Sequence, residues 1–296
     1  MEINSGPGGR RGGAKGRNAA RNRKARRARR ALRALMAQRS ALSKTLTASP
    51  APLLNIDRNF MVFWSPRSAC STVYYWFAHA SGFADELEQY GRRIHRHRRD
   101  FYKSDLYQRS AEAGPDSMRM LKIFRDPYSR SISIYRHAIT TAVHDNVTQQ
   151  VMGEHFTAQD GFSFQEFLDF VGRIDLTKSD VHLRPQFHPF EHERKPDHYI
   201  NIAKTDLFEG INAFERTCGL EPTDFPNLSG LHDREKKRKA EPWDDQDKPM
   251  DHVRLQRSNI RKLGRFPSSS QLLTPEAKEK IETIYKVDFD AYRDFL

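Results

Sequence analysis

The chain has 296 residues, 37% of them hydrophobic and 30% charged, with a formal net charge of +12. That length supplies the core of one large domain or two small ones. No apolar segment approaches the roughly 20 residues that span a bilayer. No secretory apolar region is present, and two distant cysteines, Cys70 and Cys218, imply no disulfide framework, which suits a reducing compartment. These features predict a cytoplasmic protein.

Charge is unevenly placed along the chain. Residues 1–44 hold 14 Lys/Arg and a single acid, Glu2, whereas the remainder holds 36 basic and 37 acidic residues. The basicity therefore belongs to a tail, and a near-neutral body weakens any nucleic-acid reading drawn from total charge. The tail lacks the apolar content for a core, so disorder is expected at its start. Residues 25–42 can form a basic helix with Leu32, Leu35, Met36 and Leu42 loosely on one side. Such a tail is either a solvated extension or a contact for RNA, another polyanion or an acidic membrane surface. Its Arg-rich, acid-poor character also overlaps with organelle transit peptides. A linker is expected over 45–57, where Pro50 and Pro52 oppose helix, followed by one domain over 58–296.

Phe60–Trp64 reads as a buried strand, Ser65 to Thr72 as a tight polar turn, and Thr72–Ser81 as an aromatic-rich helix. Free backbone N–H groups and the positive end of the helix dipole favour an anion at such a junction. Small residues admit an oxyanion, hydroxyls add donors, and Arg67 adds charge and a fork of N–H groups. The turn is not a Walker A loop, which needs two glycines and a closing Lys-Ser or Lys-Thr. Taken alone it is also compatible with an ordinary α/β connection. Cys70, inside the turn, is read as a small packing residue in preference to a nucleophile.

Residues 83–107 are polar and dense in His and Arg. Arg119–Arg125 is a short apolar run suited to a buried strand, and Tyr128–Thr141 reads as a helix with Asp126 as N-cap and Pro127 near its start. Phe162–Val171 is a helix whose Phe164, Phe167 and Phe170 share a core face. Asp180–Pro189 is a polar loop, Tyr199–Ala203 a strand, and Phe208–Cys218 a helix ended by Gly219. A mobile surface loop is expected over 233–251, and a helix capped by Thr274-Pro275 runs to Tyr285. Strands interleaved with helices predict an α/β fold with a central parallel sheet flanked by helices.

The second informative run is Arg125-Asp-Pro-Tyr-Ser-Arg-Ser-Ile-Ser-Ile-Tyr135. An arginine ends a strand and Ser133 follows in the next helix, so both can converge on one anion outside the carboxyl end of the sheet. With Pro66-Arg67-Ser68-Ala69-Cys70-Ser71, this pair of motifs resembles the sulfotransferases that use 3′-phosphoadenosine 5′-phosphosulfate (PAPS). The similarity is to their carbohydrate branch, which includes heparan- and chondroitin-type enzymes and soluble bacterial relatives. There, a loop like Asp180–Gln186 and a closing Tyr-x-x-Asp-Phe like Tyr285–Phe289 recur. The resemblance covers roughly residues 60–296. It implies a P-loop-like three-layer fold, PAPS as co-substrate, and a hydroxyl acceptor, a glycan or small glycoside.

The resemblance further implies that Arg67, Ser68, Ala69, Cys70, Ser71 and Thr72 hold the 5′-phosphosulfate, and that Arg125 and Ser133 hold the 3′-phosphate. Several relatives have lysine at Arg67. Arginine keeps the charge without a proton to donate, so its role would be electrostatic. Transfer also needs a base for the acceptor hydroxyl. The heparan-type branch has a His-x-His pair between the two motifs, which matches His95 and His97, with His97 the first candidate. If the run is a strand, the two share a face, with five neighbouring arginines keeping the imidazole neutral. The other reading is a solvated basic face that grips an anionic acceptor. His182, His188, His192 and His198 are irregularly spaced and lack a cysteine partner, so no metal is expected. Arg184 and Gln186 are candidates to line the acceptor cleft, and Lys262 and Arg265 to approach the nucleotide. The alternatives to a sulfotransferase are a P-loop-type phosphotransferase, a non-catalytic protein binding the product nucleotide (PAP), and an RNA-associated protein working through the tail.

Overall fold

A computed structural model describes residues 26, 27, 29–31, 33, 41–91, 93–228, 248–263 and 265–296. The chain divides into two compact units, Met1–Thr45 and Leu46–Leu296. In the first, the described residues between 26 and 33 are helical and exposed, and a second helical stretch begins at residue 41 with residues 42 and 43 half-buried. The expected disorder at the start of the tail lies outside the described residues, and so does most of the loop expected over 233–251. Its end corrects the expectation: Asp251 is buried and accepts hydrogen bonds from Gln165 Nε2 (2.7 Å) and Thr274 Oγ1 (2.6 Å).

The second unit is built on a four-stranded sheet in chain order: β1 Leu53–Asn55, β2 Phe60–Phe63, β3 Arg119–Phe124 and β4 His198–Asn201. β2, β3 and β4 are parallel, with Phe63 opposite Lys122 and Lys122 opposite Tyr199. β1 is antiparallel to β2, pairing Leu54 with Met61. The segment 45–57 thus carries an edge strand instead of serving only as a linker. Three residues between prolines and a 3₁₀ turn leave too short a pattern to read.

Among the helices are α1 Cys70–Ala80, α2 Ile94–Phe101, α3 Pro127–Thr141, α4 Phe164–Arg173, α5 Leu207–Thr217, α6 Pro275–Ile284 and α7 Lys286–Tyr292. Side chains alternate across a strand, which makes the unit three-layered. On one face Phe60 meets Trp76 and Phe77 of α1 and Phe214 of α5, and His198 also meets Phe214. On the other, Phe63 stacks on Phe190, and Phe124 stacks on Tyr292 of α7. α5 lies so close to β4 that a Cβ at Gly210 would sit 2.9 Å from Ile200 Cδ1. Gly219, at φ +71°, follows the end of that helix in a backbone region that favours glycine.

Beyond the sheet, α3, α4 and α6 enclose a second apolar cluster that includes Tyr135, Phe164, Phe167, Phe170 and Ile281. The three phenylalanines are buried, in line with their helical spacing. Asp126 caps α3 through Ser129 N–H (2.8 Å) with Pro127 in the first turn, and Thr274 caps α6 through Ala277 N–H. No helix among the described residues is long and apolar enough to cross a membrane.

Candidate active site

The turn between β2 and α1 is held in an unusual backbone shape. Arg67 and Ala69 both sit in the left-handed region, at φ +68° and +57°. Such non-glycine conformations cost on the order of 1–3 kcal/mol each and persist only where the surroundings impose them. Ala69 is the N-cap of α1 and offers no side-chain cap, so the first N–H groups of the helix, including those of Cys70, Ser71 and Thr72, are left to other acceptors. Ser65 Oγ is buried and has no hydrogen-bond partner among the described residues. A tetrahedral oxyanion would satisfy these donors.

Arg67 reaches away from the turn and donates from Nε to Ser133 Oγ at 3.0 Å. The two sequence motifs, 66 residues apart, therefore meet side chain to side chain. Arg125 Nε donates to Ser129 Oγ at 3.1 Å, one turn before Ser133 on α3. These residues, with Arg136, line a cavity of about 550 Å³ whose far wall is Phe266, Pro267, Ser268 and Ser269. Three guanidinium groups and several hydroxyls in a cavity of this size suit a phosphorylated ligand. Ser129, Arg136 and the 266–269 wall were not apparent in the sequence. The wall follows directly on Arg265, whereas Lys262 is exposed.

The remaining turn residues divide by environment. Ser68 is fully buried, and its hydroxyl donates to Gln186 Oε1 at 2.9 Å. Cys70, a free thiol, is half-buried at the first position of α1, as are Ser71 and Thr72 in the positions that follow. Gln186 is a hub. Its Oε1 also accepts from Arg125 N–H (2.9 Å), its Nε2 donates to Arg125 C=O (2.7 Å), and its own C=O accepts from Lys122 Nζ (2.5 Å). Lys122 is fully buried and pairs with Glu191 at 2.8 Å. The backbone N–H groups of Gln186 and Phe187 donate to the buried carboxylate of Asp288, whose pKa burial pushes upward. Tyr285 OH donates to Leu183 C=O at 3.1 Å. The closing Tyr-x-x-Asp-Phe run is thus a clamp on the 183–187 loop.

Arg130, 1% exposed, makes the second clamp. Its Nε donates to Pro66 C=O (3.3 Å), and one terminal nitrogen donates to the carbonyls of His182 (3.1 Å) and Arg184 (2.8 Å). Arg184 itself donates from Nε to Ser179 C=O at 2.8 Å. Arg184 and Gln186 hold the loop together.

The strand expectation for the His95–His97 run is corrected. The run is the helix α2, not a strand, and residues two apart on a helix do not share a face. His97 is buried among the rings of Tyr74, Phe83 and Tyr90, with Nδ1 2.7 Å from Tyr74 OH. Its pKa is lowered by that burial against the opposing pull of Glu86 and Asp100, so the neighbouring arginines are not the cause. His95 is exposed, with Nδ1 3.3 Å from an Arg98 nitrogen. The two rings do not converge.

A different set of histidines does converge. The ring of His182 lies 5.0 Å from that of His137 and 6.3 Å from that of His144, and its Nδ1 is 2.6 Å from Asp180 Oδ1. Burial, then the positive charge of Arg67, hold His137 down to about 4. Burial likewise lowers His144. The sequence signal was present in outline, since His137 lies four residues beyond Ser133 on one helical face. Among the described residues no group of three or more His, Cys, Asp or Glu is arranged to hold a metal ion.

The strand–turn–helix of β2–α1 thus faces a second helix start that carries arginine and serine. The family model described as Sulfotransferase family matches residues 56–293. The chain belongs to the sulfotransferase family, and that membership implies a PAPS-dependent enzyme. No curated protein and no solved structure matches the chain.

Proposed function

We propose that the chain transfers the sulfuryl group of PAPS to a hydroxyl of a carbohydrate, a glycan or a small glycoside. The observation that carries the site assignment is the Arg67–Ser133 contact at 3.0 Å on the wall of the arginine-lined cavity. It makes the turn and the start of α3 two ends of one anion site. Arg125, Ser133 and Arg136 hold the 3′-phosphate. Ser65 and the first N–H groups of α1 hold the 5′-phosphosulfate, with Arg67 between the two. Sulfuryl transfer leaves charge on the bridging oxygen, and a fixed guanidinium there stabilises the departing phosphate more than the ground state. The carbohydrate acceptor is supported by the Asp180–Gln186 loop and the Tyr285–Phe289 run, the features shared with that branch, which here engage each other.

The test is PAP binding by the full chain, read as a thermal shift, followed by labelled sulfate transfer from PAPS to a panel of glycosides, alcohols and phenols. Arg125→Ala removes a charge-assisted phosphate contact worth roughly 1.5–3 kcal/mol, so PAP affinity is expected to fall about 10- to 100-fold. An unchanged shift in Arg125→Ala sinks the assignment, and transfer confined to phenols sinks the carbohydrate class.

A further inference from the structure

Resting on the sulfotransferase reading above, we propose that the Asp180–His182 pair takes the acceptor's proton, with His137 lining the acceptor side of Arg67. Asp180 Oδ1 accepts from both the backbone N–H (2.9 Å) and the ring Nδ1 (2.6 Å) of His182. A carboxylate on Nδ1 fixes the tautomer that leaves a lone pair on Nε2. Burial alone would raise Asp180, but the hydrogen bonds from His182 outweigh it and keep the carboxyl below its usual range. The His182 side chain is 31% exposed, against 4% for His97, so an acceptor can reach it.

Placement argues the same way. Arg130 ties the His182 carbonyl and the Pro66 carbonyl to one guanidinium, which fixes the loop against the residue before Arg67. Arg130, Ser133 and His137 fall on one face of α3 at helical spacing. Ser133 takes Arg67 Nε, and the His137 ring lies 5.0 Å from that of His182, tilted by 41°. The line Asp180–His182–His137 therefore leads to the guanidinium assigned to the sulfuryl group. Behind it, the buried His144 Nε2 has no hydrogen-bond partner among the described residues, an orphaned polar atom facing the same cluster.

In the reaction, His182 Nε2 accepts the hydroxyl proton as the acceptor oxygen bonds to sulfur. The bond from sulfur to the 5′-phosphate oxygen breaks, and its electron pair stays on that oxygen beside Arg67. Asp180 balances the imidazolium until the proton passes to water. A sulfate ester, PAP and one proton result. Asp180 is a positioning residue; His182 is the catalytic one.

The experiment follows labelled sulfate from PAPS to the glycoside and phenol panel for the full chain, His182→Gln and Asp180→Asn, with the PAP thermal shift as fold control. Loss of a general base is worth about 10²–10⁴ in rate, so His182→Gln is expected to lose at least 100-fold in kcat with its PAP shift intact. Asp180→Asn is expected to lower kcat while the acceptor KM and the PAP shift stay unchanged, because the ring Nδ1 loses the carboxylate that fixes its tautomer. The rings of His137 and His144 still lie 5.0 and 6.3 Å from the His182 ring. A His182→Gln chain that binds PAP and turns over at the wild-type rate overturns the inference alone. Wild-type chain that binds PAP yet transfers to no hydroxyl overturns the functional reading and this inference with it.

Discussion

At the scale of single residues, His97 and His182 sit in contrasting environments, with side chains 4% and 31% exposed. His97 is wrapped by aromatic rings and bonded to Tyr74 OH, so its loss opens a cavity and strands a buried hydroxyl. Removal of a large core side chain together with one hydrogen-bond partner costs on the order of 3 kcal/mol. His97→Ala is therefore expected to lower the urea midpoint markedly, while the folded fraction keeps its turnover per molecule. A variant with wild-type stability but kcat reduced 100-fold would return the base to His97. Alternating His-Arg-His looked like one face of a strand because period two is a strand's signature. The same letters on a helix send one ring into the core and the other to solvent.

At the scale of elements, the site is an assembly of one turn, two helices and one loop, tied at Gln186. This side chain satisfies the Ser68 hydroxyl and both backbone groups of Arg125. Gln186→Ala leaves buried polar groups unpaired at roughly 1–3 kcal/mol each, and it frees the strand end that aims Arg125. PAP affinity is expected to drop about tenfold or more with far-UV circular dichroism retained; unchanged affinity would mean that the backbone holds Arg125 without the amide. The sequence displayed each local unit clearly. Strand, polar turn and helix are contiguous in β2–α1 and again in β3–α3, so charge, capping and periodicity announced Arg67, Arg125 and Ser133. Gln186 and Arg130 act across separations of 52 to 118 residues, and the His182 ring meets that of His137 on the separate helix α3. No local pattern encodes such a meeting, and the loop that carries Gln186 and His182 stands out in the sequence only through its resemblance to the family. β1 was missed for a related reason, since its three residues become a strand only when β2 is beside them.

At the scale of the whole molecule, buried titratable groups set how stability follows pH. Burial is the leading cause of the lowered pKa values of His97, His137, His144, His188 and His198. His188 shows why neutrality matters. Its Nδ1 accepts from Phe190 N–H and its Nε2 lies 3.0 Å from Ala48 C=O, so a second proton breaks the Phe190 cap. Its pKa falls from the usual 6.5 to about 4. With the folded value below the unfolded one, the unfolded chain binds more protons in between. The stability these histidines contribute is therefore present above about pH 6.5 and is lost as pH falls toward 4. Asp288 and Asp145, raised by burial, act in the opposite sense, favouring the folded state at low pH and opposing it as pH rises through their folded values. Five histidines against two carboxyls give a net loss on acidification. Urea midpoints measured from pH 7.5 to 4 are expected to fall steadily below 6.5, with a shallower slope in His188→Gln. A flat profile across that window would mean that these rings accept protons in place, without disturbing the packing around the sheet.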